Sequence, residues 1–232
     1  MYKIFAVISL VISLTSTAFG KSALIIVDMQ NCFVDGEDTK VHSLPVKGGL
    51  SLVSKINKFQ KNFDVVVATY DWHPINHVSF ASQHENKKPF ESIELEDGTI
   101  QALWPDHCVQ GTKGAELLKG LDTNKITKKI FKGDHAGVDS YSGFFNNNKS
   151  SHTELNEYLQ SEKVTDIYVV GLAADFCVKF TSLDGASLKY NTYFVEDLTK
   201  AVFPDNIEKS TYVELRKNNV NIINSNQARV IR

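Results

Sequence analysis

An aspartate and a histidine stand two residues apart in Asp71-Trp72-His73-Pro74, directly after an apolar run. At the end of a strand, that spacing sends both side chains to one face. A carboxylate and an imidazole presented together, joined by another imidazole from a loop, make an open nitrogen and oxygen site for a divalent metal. The loop donor is read as His107, in Trp104-Pro105-Asp106-His107-Cys108. His77 is a further candidate ligand in the same stretch. His84, flanked by Gln83 and Glu85, reads instead as a surface histidine. A site left open in this way suits binding or chemistry on a small molecule.

A second set of residues could do covalent chemistry. Cys177 follows a strongly apolar run and opens a helical segment. A helix N-terminus and a nearby lysine both favour a thiolate, so Cys177 is the candidate nucleophile. Its plain alternative is a small buried thiol. Asp28 ends an apolar run that should be buried, so its carboxylate needs a partner. Lys132 can supply one. Alone, the two would form a buried ion pair. With Cys177 in reach they have the makings of nucleophile, base and electrostatic stabiliser. Phe33 and Trp104 adjoin these residues and could sandwich a flat ring, with Tyr141 a further aromatic nearby.

Buried strands and their helices must position these groups. Continuous apolar runs predict strands over Ser22–Asp28, Asp64–Tyr70 and Val164–Leu172, with shorter strands over Lys128–Lys132, Thr192–Glu196 and Val220–Asn224. Helical periodicity covers Gly48–Phe63, Thr153–Glu162, Asp175–Lys189 and Asp205–Asn218. Residues 72–112 read as a long irregular segment, which in a small domain is usually functional. Strands alternating with helices predict an α/β fold, a doubly wound and mostly parallel sheet with helices on both faces. Asp28, Asp71, Lys132 and Cys177 then gather at the carboxyl ends of strands, the edge where such sheets bind ligands.

The chain has 232 residues and a formal net charge of −2. That length fits one domain. No basic patch stands out, which argues against nucleic acid as a partner. No Gly-rich phosphate loop supports nucleotide binding. Residues 1–20 have the layout of a secretory signal: Lys3, an apolar run from Ile4 to Leu14, then small and polar residues up to Gly20. The run is short for a membrane span. The expectation is an exported protein, periplasmic or secreted, whose catalytic domain covers 21–232 with no span after processing. The chain has three cysteines, Cys32, Cys108 and Cys177, an odd count that leaves at least one free thiol. A homo-oligomer is compatible with all of this.

Set in order, these segments resemble the nicotinamidases of the isochorismatase-like cysteine hydrolases. The matching residues are Val27-Asp28-Met29-Gln30-Asn31-Cys32-Phe33, Asp71-Trp72-His73-Pro74 with Asn76-His77-Val78-Ser79-Phe80, and Leu103-Trp104-Pro105-Asp106-His107-Cys108-Val109. Phe131-Lys132-Gly133, Asp139-Ser140-Tyr141-Ser142-Gly143-Phe144-Phe145 and Gly171-Leu172-Ala173-Ala174-Asp175-Phe176-Cys177-Val178 complete the set. The resemblance implies a three-layer, Rossmann-like sheet of about six strands. It implies a triad of Asp28, Lys132 and Cys177, and one divalent metal on Asp71, His73 and His107, with zinc, iron or manganese all suited to these donors. It further implies a cis peptide between Leu172 and Ala173, and an oxyanion hole from the Ala173 and Cys177 N–H groups. The implied reaction is hydrolysis of nicotinamide, or a similar amide such as pyrazinamide, through a cysteine thioester. Another small amide, a vinyl-ether substrate, or metal and nicotinamide binding without turnover are the competing readings. Ala174 stands where the family often has threonine. The signal-like leader departs from the many cytosolic relatives.

Overall fold

The computed structural model describes residues 20–35 and 43–230. Apart from Gly20, the expected signal segment lies outside the described residues. Strand β1 (Lys21–Val27) is apolar almost throughout and buried on both faces, as a central strand of a covered parallel sheet must be. Alternate residues point to opposite sides. Leu24 and Ile26 join Val66 and Val170 on one face, beneath Leu52, Ile56 and Phe59 of helix α1 (Leu52–Phe59). Ala23, Ile25 and Val27 join Val65, Val67 and Val169 on the other. There they meet Leu155 and Leu159 of α2 (Leu155–Ser161) and Val178 of α3 (Cys177–Ser187). Helix α4 (Tyr212–Lys217) adds Leu215 to the same face.

The sheet pairs β2 (Val65–Asp71), β5 (Lys128–Lys132), β6 (Val164–Leu172), β7 (Asn191–Lys200) and β8 (Asn221–Ile223) with β1, in the order β5-β2-β1-β6-β7-β8. Every pairing in it is parallel. The chain winds outward from β1 through β2 to β5, then returns to the other side of β1 with β6. The order therefore reverses between β1 and β6. Their carboxyl ends splay around a crevice, the place where open α/β sheets bind ligands.

Several boundaries differ from expectation for physical reasons. β1 stops at Val27, because Asp28 turns into the left-handed region at φ 47°. β7 runs on to Lys200. Its pairing with β6 shifts register between Val169 and Gly171, and the half-buried Glu196 and Asp197 there interrupt the apolar pattern. Helix α3 begins only at Cys177, since the Asp175 carboxylate accepts hydrogen bonds from the N–H groups of Val202 (2.9 Å) and Phe203 (2.8 Å) instead. The stretch over 205–218 divides into a 3₁₀ turn (Pro204–Asn206), a π-helical turn (Ile207–Thr211) and α4. Within the long segment 72–112, a hairpin of β3 (Ser92–Glu94) and β4 (Ile100–Ala102) turns at Asp97-Gly98. No described helix is long and apolar enough to cross a membrane.

Candidate active site

Strand register assembles the site. Val27 of β1 pairs with Gly171 of β6, so Asp28 and the chain beyond Leu172 emerge side by side. Gly171 has φ +108°, and a Cβ there would lie 2.1 Å from the Val27 carbonyl oxygen. Only glycine permits that approach. The Leu172–Ala173 peptide is cis, and the chain then enters α3 at Cys177. On the other side of β1, Asp71 of β2 pairs with Lys132 of β5.

Lys132 lies between these two corners. Its ammonium, buried at 1% exposure, sits 3.0 Å from Asp28 Oδ2 and 2.9 Å from Asp71 Oδ1. It also donates to the Ser140 carbonyl at 2.9 Å and lies 3.5 Å from Cys177 Sγ. A buried ammonium so enclosed is stabilised only by its anions. Burial alone would lower the Lys132 pKa, but Asp28 and Asp71 outweigh it and hold the ammonium well above its usual range. Asp28 Oδ1 accepts a 2.5 Å hydrogen bond from the Thr69 hydroxyl. Among the described residues Oδ2 has its ion pair with Lys132 but no well-directed hydrogen bond, which leaves it able to take a proton.

The thiol and this carboxylate are set for proton exchange. Burial pushes the Asp28 pKa up; Lys132 pulls it back without cancelling the effect, and the Asp71 charge adds to it. Burial also pushes Cys177 well above its usual range, against the pull of Lys132. The sequence pattern points to a thiolate held by the helix start and Lys132. In the structure burial wins over Lys132 and favours the Cys177 thiol over the thiolate.

The second cluster gathers at Asp71 Oδ2. His73 Nε2 lies 3.0 Å and His107 Nε2 3.4 Å from this one oxygen. All three residues are buried, and their donor atoms lie within 4.8 Å of one another. The remaining ring nitrogens are each fixed by a carbonyl: His73 Nδ1 on Gly133 at 2.8 Å and His107 Nδ1 on Pro105 at 2.8 Å. A carbonyl can only accept, so each Nδ1 turns its N–H there and each Nε2 is left facing Asp71. One carboxylate and two so oriented imidazoles fit a divalent cation. Gly133 permits this packing, because at its φ of +62° a Cβ would fall 2.5 Å from His73 Cε1. Gln30 grips the Asp71 backbone, accepting from its N–H and donating to its carbonyl, both at 2.8 Å.

His77 lies behind this group. Its ring stacks on His73 with centroids 4.0 Å apart, and it clusters with His73 and Asp139 rather than with Asp71 and His107. Its Nδ1 pairs with the Ser79 hydroxyl at 2.7 Å and its Nε2 faces the Val138 carbonyl at 3.3 Å. Burial and the neighbouring His73 lower its pKa to about 4, so it is neutral. Both nitrogens are engaged, which fits support of His73. His84 bonds the Val78 carbonyl at 2.7 Å, away from the cluster.

A narrow pocket joins the two halves. Phe33, Trp104, Tyr141, Ala173 and Cys177 line it with Asp71 and His107. The Trp104 indole donates to the Tyr141 hydroxyl at 3.1 Å. Phe176 and Asp139 also line it. Sequence reasoning did not single these out, because neither residue type nor spacing distinguishes them from core and surface positions. A wider groove outside β5, lined in part by Lys128, Lys129, Lys132, His135 and His152, contains none of Asp71, His107 and Cys177. Cys32 and Cys108 form a disulfide, and Cys177 is the free thiol.

A family model described as the isochorismatase domain matches residues 22–227. A nicotinamidase from Acinetobacter baylyi is 40% identical over 203 residues, spanning 88% of this chain and 92% of its own. Among solved structures, a nicotinamidase and pyrazinamidase from Acinetobacter baumanii superposes with a TM-score of 0.83 at 38% identity, covering 90% of this chain and 98% of its own. A pyrazinamidase from Pyrococcus horikoshii, solved in complex with zinc, superposes with a TM-score of 0.69 at 30% identity, covering 88% and 99%.

Proposed function

The chain belongs to the isochorismatase family, and from that membership we propose that it is a nicotinamidase, hydrolysing nicotinamide to nicotinate and ammonia. The observation that carries this reading is the Lys132 ammonium, which ties a buried thiol and base to a three-residue metal group at one pocket.

Phe33, Trp104 and Tyr141 hold the pyridine ring, placing the carboxamide carbon against Cys177 Sγ. Asp71, His73 and His107 would hold one divalent cation. When bound, it supplies a Lewis-acid anchor for the ring nitrogen. Zinc is our choice of metal, supported by the zinc complex of the Pyrococcus horikoshii pyrazinamidase; iron and manganese suit the same donors.

Asp28 accepts the thiol proton as the sulfur bonds the carbonyl carbon. Its raised pKa makes it a stronger base than an ordinary carboxylate. The Ala173 and Cys177 N–H groups receive the developing oxyanion, a contribution of about 3 kcal/mol per donor in comparable sites. Asp28 then returns the proton to the amide nitrogen, the C–N bond breaks, and ammonia leaves. Water attacks the thioester while Asp28 takes its proton. The C–S bond breaks, nicotinate forms, and Cys177 recovers the proton. Lys132 stays charged throughout and keeps Asp28 and Asp71 from repelling each other.

We place the mature chain outside the cytoplasm. The leader-like residues 1–20 support this, as does the Cys32–Cys108 disulfide, a bond that persists in oxidising compartments. Sequencing the N-terminus of exported protein tests it, with Lys21 the expected first residue. For the reaction, ammonia and nicotinate are measured from nicotinamide before and after metal stripping. Equal amounts of both products, lost on stripping and restored by zinc, are expected. Release unaffected by complete stripping would remove the metal from the mechanism.

A further inference from the structure

The disulfide joins the two segments that bound the ring-holding half of the pocket. Cys32 directly precedes Phe33, and Cys108 directly follows His107. Both Phe33 and His107 line the pocket, and their rings meet edge-on with centroids 5.6 Å apart. The cystine backbone holds further site segments. The Cys108 carbonyl accepts from the His73 N–H at 3.1 Å, and the Cys32 carbonyl from the Leu44 N–H at 2.8 Å. Cys108 also adopts a left-handed φ of 47°, unusual for a non-glycine residue and held by its surroundings. Both half-cystines are fully buried. Across 76 residues of sequence, this one covalent bond fixes Phe33 relative to His107. The ring of His107 also meets His73, Phe80 and Asp71 Oδ2, and its Nδ1 contacts Pro105; these are all non-covalent contacts.

We propose that the Cys32–Cys108 disulfide is a positioning element of the metal-binding and ring-binding half of the site. Its reduction releases His107 and Phe33, and leaves Asp28, Lys132 and Cys177 assembled through their own buried contacts. Activity then requires opposite redox states in one chain: Cys32 and Cys108 joined, Cys177 a thiol. The proposal rests on the reading of Asp71, His73 and His107 as a metal site and of Phe33 as a ring contact.

The native chain is loaded with zinc and treated with tris(2-carboxyethyl)phosphine. The phosphine breaks the S–S bond, both sulfurs take protons from water, and phosphorus takes the water oxygen as the phosphine oxide. After its removal without air, zinc transfer to a chromogenic chelator is timed. KM and kcat for nicotinamide are measured well below the melting temperature. Expected are zinc transfer about tenfold faster or more and a KM several-fold higher, with kcat less affected, all reversed by re-oxidation. The Cys32→Ser/Cys108→Ser double variant should match the reduced protein, which excludes an action of phosphine on Cys177 or on the metal. Unchanged zinc transfer and KM, with only a lower melting temperature, would overturn the proposal and make the bond a general brace. If the oxidised chain retains no zinc, the metal reading has failed and KM alone decides. If it hydrolyses no nicotinamide, the functional reading has failed and zinc transfer decides.

Discussion

Lys132 is the residue on which both halves of the site depend, since its ammonium pairs with the carboxylates of both Asp28 and Asp71. Lys132→Met leaves two buried carboxylates without their cation, and a loss of about 3–5 kcal/mol in chemical denaturation is expected. The same substitution removes the charge that pulls the Asp28 pKa down. The acid limb of kcat/KM should therefore move to higher pH in whatever activity remains. In the native protein that limb is expected above the ordinary carboxylate range of about 4, because burial raises the Asp28 pKa. Turnover needs Asp28 ionised, so it is present above the raised Asp28 pKa and is lost as pH falls through it. A limb at or below an ordinary aspartate value, in metal-saturated protein, would argue against Asp28 as the base. The meeting of Asp28, Asp71, Lys132 and Cys177 at one sheet edge was legible in sequence, because polar residues at or just past the ends of apolar runs demand a reason; His73 was legible by its spacing from Asp71, and His107 only as a loop histidine. Thr69, Gln30 and Phe176 were not. Their roles come from contacts across strands and loops, which no local spacing encodes. The resting thiol of Cys177 was also hidden, because burial outweighs Lys132 only once the fold has closed over both.

At the scale of elements, two glycines decide whether strands deliver their residues correctly. Gly171→Ala places a methyl on the Val27 carbonyl at a φ that alanine resists. It should cost more than about 2 kcal/mol in stability and separate Asp28 from Cys177. Activity lost out of proportion to unfolded protein is the expected result; an active variant of native stability would contradict the close β1–β6 approach. Gly133→Ala drives its methyl into His73 and should weaken metal retention first, with the Asp28–Lys132–Cys177 group less disturbed. Equilibrium dialysis against zinc reads this directly. The long buried strands were legible, with β5 and β6 matching their expected limits, because apolar runs of that length have few other uses. The β3–β4 hairpin was not, since its residues are largely exposed and carry little pattern. The segment over 205–218 reads as one helix, yet it forms a 3₁₀ turn and a π turn before α4, with Pro204 at its start.

At the scale of the whole molecule, the reversal of strand order between β1 and β6 creates the crevice, and the disulfide braces one wall of it. Closing 76 residues of chain should stabilise the folded protein by about 4 kcal/mol through the unfolded state. Denaturation of the Cys32→Ser/Cys108→Ser variant measures that contribution. The doubly wound class was legible from alternating strands and helices. The disulfide was not, because three cysteines allow several pairings and only the fold brings Cys32 to Cys108. In the proposed mechanism all these features serve one chemical event, the attack of Cys177 on the amide of nicotinamide. The most direct test is ammonia release by the zinc-loaded native chain and by Cys177→Ala, with nicotinate binding measured on both. The account predicts release by the native chain, background release by the variant, and retained nicotinate binding. Substantial ammonia release by Cys177→Ala would contradict it.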